Sequence, residues 1–228
     1  MQSLQRRMGR MLPRTADESE VAVLLKTFED VDKMLDSLIA ASKAWRDAWK
    51  MILRKQQLVA AEFDSLYQDI VGAGSDHAGI PHAPTPDHLA NRAMKMSREY
   101  SELEADMIVE VNEMDFRVLR PCEEAKASIQ PLKKTIKKRQ DRKLDYERYQ
   151  NRFDNSMKKI GRSDRENKAL NKHEADLQRS REEYQTADQR MRDVLPPILQ
   201  AVFSLLPYVL ASQITIQNNL LGHCYTQI

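Results

Sequence analysis

From Val21 onward the chain places a seam residue at alternating steps of three and four: Val21, Leu24, Phe28, Val31, Leu35, Leu38, Ser42, Trp45, Trp49, Ile52, Gln56, Val59, Phe63, Leu66 and Ile70. Thirteen of these fifteen positions are apolar, and no proline falls among them. An apolar repeat averaging 3.5 residues keeps one seam of a helix facing a partner, so the segment predicts a long coiled-coil helix. Only six glycines and 31 % charged residues in 228 agree with long helices rather than a β-rich fold.

The same reasoning finds two more helices. Thr15 and Glu18 form a capping-box pattern, so the first helix is expected over about 16–71. A Gly/Pro-rich connector follows. Thr85 before Pro86 reads as an N-cap with proline at the first helical position. The second helix is expected over 86–160, with Leu89, Ala93, Met96, Tyr100, Leu103 and Met107 on its early seam. Gly161 stops it, and Ser163 with Glu166 supplies another capping box, which predicts a tight antiparallel hairpin. The third helix is expected over 164–222, with Leu170, His173, Leu177, Ser180, Tyr184, Ala187, Met191, Val194 and Ile198 on its seam. At a rise of 1.5 Å per residue the second helix would be roughly 110 Å long and the others roughly 85–90 Å.

A three-helix rod this thin cannot surround its own core. Trp45 and Trp49, with Ile198, Val202, Leu205 and Val209 in the apolar end of the third helix, are therefore expected to form a dimer surface. Pro121 and Pro131 lie 41 and 31 residues before Arg162, while Pro196, Pro197 and Pro207 lie 34, 35 and 45 residues after it. Proline inside a helix kinks it. Both arms of the hairpin should bend at similar heights, and a dimer axis would double the bent rod into an arc.

Charge is segregated. Arg117 to Lys172 holds 18 Lys and Arg against 8 Asp and Glu, an excess of ten, so the remainder carries −8 within the whole-chain +2. Such asymmetry points to a polyanionic surface. Two cysteines without paired spacing suit a reducing compartment, and arginines interrupt residues 1–14 as a secretion signal. Ile198–Leu210 is too short to span a bilayer and contains Pro207. A soluble, cytoplasmic protein is expected.

The basic excess peaks in Lys133, Lys134, Lys137, Lys138, Arg139, Arg142 and Lys143. Lys134, Lys138 and Arg142 stack along one helical face, where like charges repel. Lys158, Lys159, Arg162, Arg165 and Lys168 surround the hairpin tip. In residues 1–15, Leu4, Met8, Met11 and Leu12 share a helical face while Arg6, Arg7 and Arg10 fall largely elsewhere, the pattern of a shallow interfacial helix. An anionic phospholipid membrane suits all three features. Nucleic acid fits less well, because the stripe lacks interleaved aromatics and no helix-turn-helix or zinc signature is present.

Other chemistry is weakly supported. His77, His82 and His88 have no cysteine or well-spaced carboxylate beside them, and Gly72 to Ser75 lacks the lysine of a phosphate loop. His173 lies on a seam and reads as a packed histidine. No catalytic constellation stands out, and no cofactor or metal is expected.

The run from Lys137 to Tyr146 (KKRQDRKLDY), Pro131-Leu-Lys, the basic hairpin and Leu195-Pro196 resemble the BAR domain of amphiphysin/endophilin type, especially fungal amphiphysin-like BAR–SH3 adaptors. The likeness covers the chain from about Ala16 to its end, with residues 1–15 in the position of an N-terminal amphipathic segment. It implies an all-α crescent-shaped dimer, homodimeric or with another BAR protein, whose concave face binds curved anionic membrane at endocytic sites or the cell cortex. On that likeness Lys133, Lys134, Lys137, Lys138, Arg142 and Lys143 match the concave-face segment, and the Lys158 to Lys168 cluster matches the distal tip. It also implies SH3-mediated partners if the full-length protein continues. The alternative is a coiled-coil scaffold that binds only proteins.

Overall fold

The computed structural model describes residues 19–67 and 85–226, all of them helix or short connection. The expected insertion residues Leu4, Arg6, Arg7, Met8, Arg10, Met11 and Leu12, the Thr15–Glu18 box, Gly72 to Ser75, His77 and His82 lie outside the described residues. Four α-helices follow one another: α1 (Ser19–Leu66), α2 (Asp87–Met114), α3 (Arg120–Met157) and α4 (Asp164–Thr226), with a π-helical turn at Asp115–Leu119 joining α2 to α3. The second long helix of the sequence reading is thus α2 and α3, interrupted at a definite place. Within the turn the Arg120 N–H bonds to the Asp115 carbonyl, a step of five residues. Pro121 follows at once and has no N–H for the Arg117 carbonyl, so the wider turn forms where proline withholds a donor. By contrast α3 runs through Pro131, and α4 runs through Pro196, Pro197 and Pro207.

The ends differ from expectation in two places. Pro86, not Thr85, occupies the N-cap of α2, and its carbonyl accepts from the N–H groups of Leu89 (2.8 Å) and Ala90 (3.3 Å). α3 stops at Met157 rather than Ile160, and Gly161 turns the chain with φ of 73°, in the left-handed region that favours glycine. The Ser163 capping box forms as read: the Glu166 N–H donates to Ser163 Oγ (3.4 Å), and the Ser163 N–H donates to Glu166 Oε2 (3.0 Å).

The described residues pack as two compact units, one formed by α1 up to Asp36 with Glu124–Ser204, and the other by the rest of α1 from Ser37, by α2 through Glu123, and by α4 from Leu205 onward. In the first, Phe28, Val31 and Leu35 of α1 meet Ile129 and Leu132 of α3 and Met191, Leu195, Leu199 and Val202 of α4. In the second, Leu53 meets Met107, Val111 and Met114 of α2, Val118, Cys122, and Val209, Ile216 and Leu220 of α4.

Two of the six residues expected at a dimer surface lie inside these cores. Val202 and Val209 are buried within the chain, one in each core. Ile198 packs half-buried on the first core, and Leu205, Trp45 and Trp49 pack on the second. The two indole rings lie 6.0 Å apart at 58°. The α1 seam also drifts. Beyond Trp49 the buried positions are Leu53 and Ala60 (each 1 % exposed), whereas the expected Ile52 and Val59 are 45 % and 57 % exposed. A straight α-helix turns about 20° per heptad relative to a perfect 3.5 repeat, so five heptads move the buried line by roughly one residue.

By length and composition alone, α4 contains a stretch apolar enough to cross a membrane, longer than the Ile198–Leu210 run. Its apolar residues divide between core positions such as Ile216 and Leu220 and exposed ones such as Leu210, Ile214 and Leu221.

Candidate membrane-binding site

α3 carries the basic run on an arc bounded by α1 on one side and α4 on the other. Toward α1, Lys126 donates to Asp32 Oδ1 (2.7 Å), to the Asp32 carbonyl (2.8 Å) and to Asp36 Oδ2 (2.7 Å), and Lys133 pairs with Asp32 (2.8 Å). Burial pushes the Asp32 carboxyl upward, but the bonds and charges of Lys126 and Lys133 outweigh it and hold Asp32 below the usual carboxylate range. For Lys126 burial favours the neutral form, and Asp32 and Asp36 more than reverse that, so it stays above its ordinary value.

Toward α4, Arg139 is the largest fully buried side chain among the described residues, 1 % exposed. It donates to Asp188 Oδ1 (2.8 Å) and Tyr184 Oη (2.9 Å), and its guanidinium sits 5.1 Å from the Tyr184 ring centre. Tyr146 stacks on the other part of this assembly at 5.7 Å from Tyr184. Arg139 is therefore a structural ion-pair residue, and its assignment to a membrane surface is corrected. The heptad carried the signal: Ile129, Leu132 and Ile136 lead to position 139 by a step of three, which places it on the packed seam.

The rest of the run divides by environment. Arg142 pairs with Glu183 while remaining exposed, and Lys143, half-buried, lies 4.0 Å from Glu147. Lys133, Lys134, Lys137 and Lys138 are exposed. Among the described residues no ion pair is seen to Lys134, Lys137 or Lys138. Successive residues lie about 100° apart around a helix, so 133 and 137 occupy one edge of the outer arc and 134 and 138 the other. Lys133 and Lys137 overlook a groove between α1 and α3, and Lys138 and Arg142 overlook one between α3 and α4.

At the hairpin, Lys158, Lys159, Arg165 and Lys168 are exposed, and Arg162 is half-buried with a contact to Met157 Sδ (3.7 Å). Lys159 pairs with Glu166 at 3.5 Å. The Ser163 backbone and hydroxyl, and then Lys159, hold the Glu166 carboxyl below its ordinary value. His173 is half-buried with Nδ1 3.0 Å from Ser156 Oγ, in keeping with a packed histidine. The sequence reading missed Arg179 and Arg190, which line the α3–α4 groove opposite the basic run. Their spacing of eleven residues, three helical turns, was the available signal.

A family model for the BAR domain matches residues 13–225, nearly the whole chain. The chain belongs to the BAR domain family. BAR domains as a class are helical scaffolds, not enzymes, that dimerise, bind membranes, and sense or generate curvature, generally as cytoplasmic peripheral proteins. Protein hob1 of Schizosaccharomyces pombe is 21 % identical over 181 residues, covering 79 % of this chain and 39 % of hob1. The chain thus spans about two fifths of the length of that relative. A BAR protein from Galdieria sulphuraria superimposes with a TM-score of 0.66 at 12 % identity, covering 93 % of this chain and 95 % of the other. The amphiphysin BAR domain from Drosophila gives 0.57 at 15 % identity, with coverages of 95 % and 93 %. These likenesses show that the BAR fold extends over this chain.

Proposed function

We propose that this chain is a dimeric, non-catalytic module that binds anionic membrane and senses or imposes curvature during endocytosis or vesicle traffic. The observation that carries the reading is the exposed trio Lys134, Lys137 and Lys138, to which no ion pair is seen among the described residues, on a helix whose other cations largely meet carboxylates. Each basic side chain near an anionic leaflet contributes about 1 kcal/mol, and salt screens it. Lys133 and Arg142 extend the patch, and Lys158, Arg165 and Lys168 add a second contact at the hairpin. Residues 1–14 act as an optional wedge. Two copies together would present both sets of contacts twice to one anionic surface.

The surface for the second copy is the exposed apolar stripe of the second unit. On α1 it comprises Ile52, Val59, Phe63 and Leu66, and on α4 Leu210, Ile214 and Leu221. Both stripes retain steps of three, four or seven, the geometry that lets helices of another copy pack.

Liposome co-sedimentation with electron microscopy tests the reading. K134E/K137E/K138E should abolish binding to anionic vesicles while circular dichroism stays unchanged, and unaltered co-sedimentation would overturn the site. Binding should weaken as salt rises. A protein-only scaffold would instead bind no vesicle at any salt concentration.

A further inference from the structure

We propose that the outward face of α2 is a docking surface for a basic amphipathic segment, and that its occupant is residues 4–14 of a second copy of this chain. From Glu99 to Asp115 the sequence holds seven carboxylates and no lysine or arginine. Two of them are engaged: Glu110 accepts from the Asn219 side-chain amide at 3.0 Å, and Asp115 takes Arg46. Among the described residues no ion pair is seen to Glu102, Asp106 or Glu113. Acids four apart on one helix repel each other, and Glu102, Asp106 and Glu110 stand at that spacing. This face of α2 is thus the acidic counterpart of the basic run on α3, and its charge opposes an anionic leaflet.

Charge alone would mark only a solvated face. The second observation is a seam. Glu102, Asp106, Val109, Glu113 and Phe116 follow one another by steps of four, three, four and three, which keeps them on one line of the helix. The buried residues of α2, Met107, Val111 and Met114 among them, lie on the opposite side. On the outer line Val109 is 60 % exposed and Phe116 63 %. Two apolar side chains seven residues apart, with acids between and beside them, match a helix that brings apolar anchors at the same spacing and cations between them.

The chain itself contains such a segment. Leu4, Arg7, Met11 and Arg14 are separated by three, four and three residues. Laid antiparallel on α2, Leu4 meets Phe116, Arg7 meets Glu113, Met11 meets Val109 and Arg14 meets Asp106. In that single register every apolar residue finds an apolar one and every cation a carboxylate. The segment must come from another copy. Arg46 of α1 pairs with Asp115, and Gln57 meets Ser101 at 3.4 Å, so Asp106 lies beyond the level of Arg46. Ser19 and Arg46 are roughly 40 Å apart along α1. The five residues from Arg14 to Ser19 reach at most about 18 Å. Residues 4–14 are also those that would enter a leaflet, so docking and insertion exclude each other. The docking itself does not depend on the membrane reading.

Calorimetric titration of a synthetic peptide of residues 1–14 into the full chain, without lipid, tests the contact. Wild type should bind the peptide, and more weakly as salt rises. D106K/E113K should lose at least about tenfold in affinity, the effect of one well-made charged contact. A peptide carrying R7E/R14E should lose as much against wild type and regain it against D106K/E113K. E29K/D30K, the same change of charge on exposed residues of α1, should leave the affinity within about twofold. V109Q/F116Q should weaken the peptide with helicity retained. No binding of the peptide by wild type, or equal losses in D106K/E113K and E29K/D30K, overturns the proposal. Absent peptide binding together with a weaker dimer for V109Q/F116Q in sedimentation equilibrium overturns it in favour of a dimer interface on this seam. Peptide binding by a chain that binds no vesicle upholds the docking and defeats the membrane reading alone.

Discussion

Arg139 shows how little a residue's type says without its register. It stands between Lys138 and Arg142 in one basic run, yet it is buried against Asp188 and Tyr184. Removing one partner of a buried pair leaves the other charge without compensation, so Arg139→Ala should cost about 3–5 kcal/mol in urea unfolding. Lys134→Ala, on the exposed arc, should stay within about 0.5 kcal/mol of wild type in the same assay. Neighbours on α1 make a matching contrast. Leu53→Ala empties a core site and should cost about 2–5 kcal/mol. Asp32 gives the pH prediction. Its folded pKa lies below its unfolded one, so its stabilising contribution is present above about pH 4 and lost as pH falls through the folded value. Lys126, raised in the fold, contributes below about pH 10.4 and loses that contribution as pH rises through its folded value. The stability gap between wild type and Asp32→Asn, followed by urea midpoints, should therefore narrow as pH drops below about 4.

At the scale of an element, α1 carries two apolar lines where a monomer needs one. Leu53 and Ala60 face the core, and Ile52, Val59, Phe63 and Leu66 remain exposed one residue out of phase. Burying such a side chain is worth roughly 1.5–3 kcal/mol. I52Q/V59Q/F63Q should therefore weaken self-association by more than about a hundredfold in sedimentation equilibrium, with helicity retained. The hairpin was legible because its signals are local: Gly161 supplies the left-handed turn, and Ser163 and Glu166 satisfy each other's backbone groups. Pro86 was misread by one position, since proline also serves as an N-cap when its carbonyl starts the hydrogen-bond ladder. The π-turn was not legible. Pro121 announced a disturbance, but only packing around Val118 and Leu119, both buried, selects a widened turn over a break.

For the molecule as a whole, the relevant quantity is the number of weak contacts made at once. No single lysine on α3 would hold the protein to a membrane, but several per copy, doubled by association, raise avidity without any new contact. The I52Q/V59Q/F63Q variant should therefore lose vesicle binding even though its basic residues are untouched. Vesicle binding by that variant equal to wild type would separate membrane attachment from dimerisation.

The sequence by itself determined three long helices, their seams to within a residue, the tight hairpin, and the concentration of positive charge in the middle of the chain. Periodicity, capping and charge are local properties of a helix, and they survive without knowledge of its neighbours. Tertiary structure decided which cations are free to act. It removed Arg139 by setting Asp188 beside it, engaged Lys133 and Arg142 with Asp32 and Glu183, and brought Arg179 and Arg190 across from Lys138. It also took Val202 and Val209 into the cores and left Ile52 and Val59 outside. Both outcomes depend on the phase between helices distant in sequence, and a drift of about 20° per heptad is enough to exchange a core residue for a surface one.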